Sequence, residues 1–312
     1  MSGGKPDGFE YNVTVVDVPK VPGAHATKEV AVTRLVVDES REPREPRESR
    51  ESREDQVVIE ETLEIRIFGE TLAITMRTPG HDHDLVLGFL WAEGILRARG
   101  DVSSIAHCGR TGSDEKQNTV DVKLVPGIRT PLDEIDAPLM ARRGTLMTSA
   151  CGVCGRKSID DLLARFERVP DGARTSRAVV TAAVAGLRER QPIFARTGGC
   201  HAASLLTMAG EHVVTFEDVG RHNAVDKVIG SRLRAGAGEG PTLPLADHML
   251  VVSGRSSFEI VQKAIAAGIP MIASVSAPSS LAVSLAAEAN VTLVGFARGA
   301  AMTVYTGASR IL

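Results

Sequence analysis

The chain carries two different hydrophobic rhythms. In the first, Leu63, Ile65 and Ile67 are apolar at every second position, with Glu64 and Arg66 between them. After Phe68-Gly69-Glu70 the alternation resumes at Leu72, Ile74 and Met76. Two period-two runs around a glycine predict a β-hairpin with one buried face. Thr78-Pro79-Gly80 then breaks the pattern, and residues 81–96 read as a helix that buries Leu87, Leu90, Trp91 and Ile95. Val120, Val122 and Leu124, alternating with Asp121 and Lys123, predict another strand. This small α+β unit is expected to end near Gly144.

The C-terminal half changes character. Residues 249–252, 271–275 and 291–294 are apolar without alternation, and 257–267 and 279–289 between them read as helices. Residues 213–216 form a further apolar strand. Continuous apolar strands alternating with helices predict a largely parallel sheet covered on both faces, a three-layer α/β arrangement. Upstream, residues 41–54 read REPREPRESRESRE. A period of three fits neither a helix stripe nor a strand, so a solvated, disordered insertion is expected there. The first 30 or so residues scatter Gly, Pro and Lys and are expected to be loosely ordered. The predicted organisation is α/β: a disordered extension over 1–56, a small α+β domain over 57–146 and an α/β domain over 147–312.

Composition narrows the function classes. The 312 residues carry 36 Lys and Arg against 39 Asp and Glu, a net charge of −3. That balance argues against a nucleic-acid-backbone binder, which would carry a basic face. No run of 18 uncharged apolar residues occurs, so no membrane partner is expected, and the N-terminus shows no apolar leader. The cytoplasm is the expected compartment. Two of the four cysteines form Cys151-Gly-Val-Cys154, a spacing that favours redox, metal or sulfur chemistry over a disulfide scaffold.

The C-x-x-C precedes Ile159, Leu162, Leu163 and Phe166, which share one helical face. A glycine-flanked pair ahead of a helix N-terminus, with Arg142, Arg143, Arg156 and Lys157 nearby, favours thiolate over thiol. Three readings stay open: two buried cysteines, thiol or persulfide chemistry, or zinc held by Cys151, Cys154, Cys200 and His201. Zinc deaminase chemistry is poorly supported, because residue 150 is Ala and no His is followed by x-Glu.

A second constellation is Thr197-Gly198-Gly199-Cys200-His201. A third packs Glu217, Asp218, Arg221, His222, Asn223, Asp226 and Lys227 into eleven residues. There, Arg221 and His222 suit an anion or proton transfer, or else Asp218 caps a helix and Arg221 joins a salt bridge. The three apolar strands also end in polar or small loops: Ser253-Gly254-Arg255-Ser256-Ser257, then 274–279 with Ser276, then Gly295-Phe296-Ala297-Arg298-Gly299. Ligands of open α/β sheets sit outside the carboxyl ends of strands, and helix N-termini with arginines bind phosphate. A phosphorylated, nucleotide-like ligand is expected, with Arg255 and Arg298 on phosphates.

Seven segments in order, TPGHDHDLVLGFLWAEGI, CGVCG, TGGCHAA, FEDVGRHNAVDKVIG, SGRSSFEIVQKA, SVSAPSSLAV and GFARG, resemble the FdhD family of formate dehydrogenase accessory sulfurtransferases. The resemblance spans 57–312 and leaves the charged repeat outside. It implies an enzyme, a sulfurtransferase that takes persulfide sulfur from a cysteine desulfurase and passes it to the molybdenum cofactor, bis-molybdopterin guanine dinucleotide, for formate dehydrogenase. It implies Cys151 and Cys154 as sulfur carriers and, because the cofactor carries guanine nucleotides, an expected contact of Asp218 or Glu217 with a base edge. It also implies Gly295, Phe296, Ala297, Arg298, Gly299 and Ala300 as a cofactor-binding stretch, beside Ser253, Gly254, Arg255 and Ser276. It further implies a cytidine deaminase-like C-terminal fold and a homodimer, with no resident metal. Cys200 departs from the expected pattern and adds a third thiol that could relay sulfur. The alternatives are a non-catalytic cofactor chaperone and the zinc protein.

Overall fold

The computed structural model describes residues 26–37, 48–108, 118–127, 147–148, 167–235, 242–299 and 301–312. The chain begins with β1, Thr27–Val37, and β2, Glu48–Val58, which pair antiparallel from Thr27 opposite Val58 to Val37 opposite Glu48. This corrects the expectation of irregular chain through residue 56: residues 48–56 are strand. The period-three argument concerns side-chain burial, whereas a ladder needs only a backbone partner. The β-branched run TKEVAVTRLVV supplies that partner. Residues 41–47 of the repeat, and the expected helix with Ile159, Leu162, Leu163 and Phe166, lie outside the described residues.

The predicted hairpin is present as β3, Glu61–Ile67, and β4, Glu70–Arg77. Its two central residues, Phe68 and Gly69, both have positive φ (51° and 83°), as a two-residue hairpin turn requires. The buried face differs from the expected one. Ile65 pairs with Ala73 and Arg66 with Thr71, so Leu72 is an extra residue, a β-bulge. Beyond it the inward positions are Ala73, Thr75 and Arg77, while Met76 faces out, 43% exposed. One inserted residue reverses the alternation.

β5, Val102–His107, β6, Thr119–Leu124, and β7, Met147–Thr148, complete a five-stranded sheet in the order β5-β6-β3-β4-β7. β7 lies parallel to β4, so residues 147 and 148 belong to this sheet rather than beyond the boundary expected at 146. Helix α1, Asp82–Ala92, covers it and is buried on nearly every side. It ends four residues earlier than the sequence suggests, at Glu93-Gly94, where Gly94 turns left-handed. Leu87, Leu90 and Ile95 are buried as expected.

The second sheet has the order β13-β12-β11-β10-β8-β9. Its strands are β8, His201–Thr207; β9, His212–Asp218; β10, His248–Val252; β11, Met271–Ser274; β12, Thr292–Arg298; and β13, Ala301–Thr306. Only the central β10, β11 and β12 run parallel; β8, β9 and β13 are antiparallel additions. The sheet is therefore mixed, not largely parallel: a short reversal at 208–211 returns the chain beside β8, and β13 pairs antiparallel with β12 at the other edge.

Helices cover both faces, as three layers require. On one side lie α4, Arg221–Arg234, α5, Phe258–Ala266, and α6, Ser280–Glu288; their core includes Val228, Ile260, Leu285, Leu250 and Ile272. On the other lies α2, Arg177–Leu187, over Val180, Val184, Met249, Val251 and Met271. The short α3, Pro192–Thr197, leads into β8. Trp91 joins the two sheets' cores, donating from Nε1 to the Ala266 carbonyl at 2.7 Å.

Candidate functional site

The carboxyl ends of β10, β11 and β12 are laced into one ridge. Ser274 Oγ donates to the Gly254 carbonyl at 2.6 Å, and the Phe296 N–H donates to the Ser276 carbonyl at 3.2 Å. Arg298 Nε donates to the Val275 carbonyl at 3.3 Å. Ser253 Oγ accepts the Ala202 N–H at 2.8 Å, tying the ridge to β8. The fold thus gathers Ser253, Gly254, Arg255, Ser276 and 295–299, which the sequence separates by up to 46 positions.

Within 295–299 the residues divide by strand alternation. Ala297 is buried in the core beneath α2, and a side chain at Gly295 would stand 2.9 Å from the Ser276 carbonyl oxygen. Phe296, Arg298 and Gly299 face outward. Phe296 holds φ 51°, a left-handed conformation unusual for a bulky residue, with its ring 46% exposed. Backbone strain of this kind costs about 1–3 kcal/mol and clusters at ligand-binding segments.

Cationic groups converge beside Gly254. A Cβ there would lie 3.2 Å from His201 Nδ1, a tight contact, and 3.6 Å from Arg221 Cδ, so the ridge backbone runs close beside both side chains. Burial, and then the Arg255 charge, hold Arg221 below its ordinary pKa. Burial, then Arg221, then Arg255, lower His201 and keep its imidazole neutral. Among the described residues, Arg221 Nε is buried without a hydrogen-bond partner. Two guanidiniums and an uncharged imidazole make a region that favours an anion.

A cavity of about 380 Å³ adjoins this region, walled by Leu187, Arg188, Gln191, Phe194, Cys200, His201 and Ser253. Gln191 Nε2 is buried without a partner. The Arg188 guanidinium lies 3.9 Å from the Phe194 ring centroid. Glu217 fixes this wall, its carboxylate accepting the Ile193 and Phe194 N–H groups at 2.8 and 2.7 Å at the start of α3.

That role removes Glu217 from the base-edge contact expected of it. Asp218 is removed too. It is fully buried, 2.7 Å from Lys227 Nζ, and accepts from the Thr78 and Gly220 N–H groups and from Asn223 Nδ2. Both carboxylates are saturated by groups that adjacency in sequence does not reveal. Nor does Asp218 cap α4, whose N-cap is Gly220. His222 turns away from the cavity to contact Ser257 Oγ at 2.9 Å.

Cys200 sits in the cavity wall as a buried thiol. Burial first, and the nearby Glu217 charge second, push its pKa up to about 12. It is a neutral SH group at physiological pH and a poor nucleophile, which argues against the relay role expected of it. Cys151, Cys154 and Ala300 lie outside the described residues, as do two of the four residues of the zinc set. His201 was singled out from sequence only as a candidate zinc ligand, and Gln191, Arg188 and Phe194 not at all, because no local pattern marks them as lining a cavity. None of the described helices is long and apolar enough to cross a membrane.

Residues 58–312 match the FdhD/NarQ family. The chain is 52% identical over 262 residues to the "Sulfur carrier protein FdhD" of Anaeromyxobacter sp. (strain K), covering 82% of this chain and 88% of that protein. It is 48% identical over 263 residues to the protein of the same name from Streptomyces coelicolor, covering 82% and 89%. It is 47% identical over 265 residues to that of Mycobacterium tuberculosis, covering 82% and 92%. The crystal structure of a putative formate dehydrogenase accessory protein from Desulfotalea psychrophila shares the fold, with a TM-score of 0.66 at 24% identity over 91% of this chain and 99% of that one.

Proposed function

The chain belongs to the FdhD/NarQ family, and from that premise we propose that it is a sulfurtransferase serving formate dehydrogenase. In this reading a cysteine desulfurase donates sulfur as a persulfide to the C-x-x-C, with Cys151 as first carrier and Cys154 as relay. The acceptor is bis-molybdopterin guanine dinucleotide, seated along the ridge at the ends of β10, β11 and β12. The cytoplasm is the compartment and a homodimer the working form.

One observation carries the acceptor half: Arg221 lies beside Gly254 within reach of the Arg255 charge, and among the described residues its Nε is buried without a hydrogen-bond partner. Like charges brought together at a cost in solvation favour a polyanionic ligand, and pyrophosphates supply one. Arg298, whose Nε is committed to the Val275 carbonyl, keeps its terminal nitrogens for a second phosphate. Gly254 keeps the ridge close to His201 and Arg221, and Gly295 lets the β12 backbone pack against Ser276. The carrier half rests on sequence: glycines and flanking cations around Cys151 and Cys154 favour a persulfide anion.

The test is intact-protein mass spectrometry after incubation with a cysteine desulfurase and cysteine. The expected result is a gain of about 32 Da in the wild type that disappears in Cys151→Ala. A wild-type protein that gains no sulfur, or a Cys151→Ala protein that still restores formate dehydrogenase activity, overturns the sulfur-carrier reading.

A further inference from the structure

Ser257 occupies the N-cap of α5, where a serine ordinarily turns its hydroxyl onto the helix's first N–H groups. Two other serines of this chain do so: Ser176 accepts the Val179 N–H at 3.2 Å, and Ser279 accepts the Ala282 N–H at 3.3 Å. Ser257 makes no such bond. Its Oγ lies instead 2.9 Å from Nε2 of His222, on α4. Across the same ring, Glu259 Oε2 stands 3.3 Å from His222 Nδ1. Glu259 is in turn 3.6 Å from the buried Lys263 ammonium. The fold forgoes this serine cap, and the hydroxyl so released meets an imidazole flanked by a carboxylate.

We propose that Ser257, His222 and Glu259 form a nucleophile, a base and a positioning carboxylate for hydrolysis of small carboxylic esters that carry an anionic group. Ser257 Oγ attacks the ester carbonyl carbon, and its proton passes to His222 Nε2. When the C–O bond of the leaving group breaks, the alcohol departs with the proton from Nε2. Water then attacks the acyl-serine by the same route, giving acid and free Ser257. One ester and one water become one acid and one alcohol, with no redox partner. A Glu259 carboxylate oxygen 3.3 Å from Nδ1 favours electrostatically the tautomer with hydrogen on Nδ1, which leaves Nε2 as acceptor.

Three features suit this chemistry. The N–H groups that open α5 receive no capping bond from Ser257 and are available to a developing oxyanion. Arg221 precedes His222 directly and lies close enough to Arg255 to be repelled by it, which selects an anionic substrate. Burial, then the charges of Arg221 and Lys263, hold the His222 imidazole down to about 3, so it is unprotonated at neutral pH. An anion bound against Arg221 offsets the largest of those charges and raises the ring's basicity. None of this uses the C-x-x-C; the site shares Arg221 with the proposed cofactor ridge but not the sulfur carriers.

The experiment is reaction of the full-length protein with a fluorophosphonate probe, read by intact mass and peptide mapping. The phosphorus takes the place of the ester carbonyl, and fluoride leaves as the Ser257 Oγ–P bond forms. One adduct on Ser257 is expected, absent in Ser257→Ala and formed about a hundredfold more slowly in His222→Gln, the scale of a lost general base. Glu259→Gln should slow it less. No adduct on the wild type, an adduct on another residue, or unchanged labelling in His222→Gln overturns the proposal. Mapping the wild-type adduct reads the question without relying on any variant's folding. Persulfide loading of Ser257→Ala, measured in parallel, should match wild type, which separates failure of this site from failure of the sulfur-carrier reading.

Discussion

Gly230 of α4 crosses Gly88 of α1 at backbone contact. A Cβ on Gly230 would lie 1.8 Å from the Asp84 carbonyl oxygen and 2.7 Å from the Gly88 nitrogen, and one on Gly88 would lie 2.0 Å from the Asp226 carbonyl oxygen. The helix over the first sheet and the helix over the second thus meet without side chains between them. The same crossing brings Arg234 Nε to 2.6 Å from Asp84 Oδ1.

Gly230→Ala is therefore expected to destabilise the protein by about 3 kcal/mol or more, the upper range of overpacking, because the obstructing atoms are backbone and cannot rotate away. Gly100→Ala, at a glycine whose Cβ would meet nothing within 4 Å, is the control. Denaturant unfolding reads both. A Gly230→Ala loss below about 1 kcal/mol would show that the helices can part cheaply.

Lys263 Nζ lies 2.8 and 2.9 Å from the two oxygens of Asp226, both side chains being buried. The carboxylate beside it holds the ammonium above its ordinary pKa. Asp226→Asn leaves that charge with Glu259, 3.6 Å away, as its remaining carboxylate partner and is expected to cost about 3 kcal/mol, the lower end for a broken buried pair. Adding Lys263→Met should recover part of the loss, since the buried ammonium is then gone while the Glu259 carboxylate remains. A double variant no more stable than Asp226→Asn would contradict this account of the pair.

Cys200 is expected to resist alkylation. With its thiol pushed up to about 12, far less thiolate is present at pH 9 than for an ordinary cysteine, which is half ionised near there. Folded protein treated with iodoacetamide at pH 9 should leave Cys200 unmodified by peptide mapping, and the same treatment in denaturant should modify it fully. Rapid labelling in the folded state would show that the cavity wall opens.

Arg298→Ala should weaken binding of GDP, used as a probe for one arm of the proposed cofactor, by about 1–3 kcal/mol, the range for a hydrogen bond to a charged group. Calorimetry measures it. Unchanged affinity would remove Arg298 from the ligand site and leave its Nε bond to the Val275 carbonyl as its role.

The hairpin, α1, the three central strands and their helices were legible from hydrophobic periodicity, because each buries a face whose spacing is set locally. The bulge at Leu72 was not: Leu72, Ile74 and Met76 alternate in sequence, and only the pairing of Ile65 with Ala73 reveals the extra residue. Strand β2 was hidden for a related reason. Its charged repeat has no apolar face to recognise, and its partner lies across a connection of ten residues.

Chemistry divided the same way. The sequence by itself determined which loops carry glycine, serine and arginine, and which strand ends they follow. The ordered motifs also determined the family, since their resemblance needs no coordinates. Tertiary structure alone decided that Glu217 and Asp218 are consumed by backbone N–H groups and Lys227, that Cys200 is a buried neutral thiol, and that Ser257 meets a histidine 35 residues away. Periodicity reports how a residue relates to its own element. Which polar group it meets, and what burial does to its proton, depend on contacts between elements far apart in the chain.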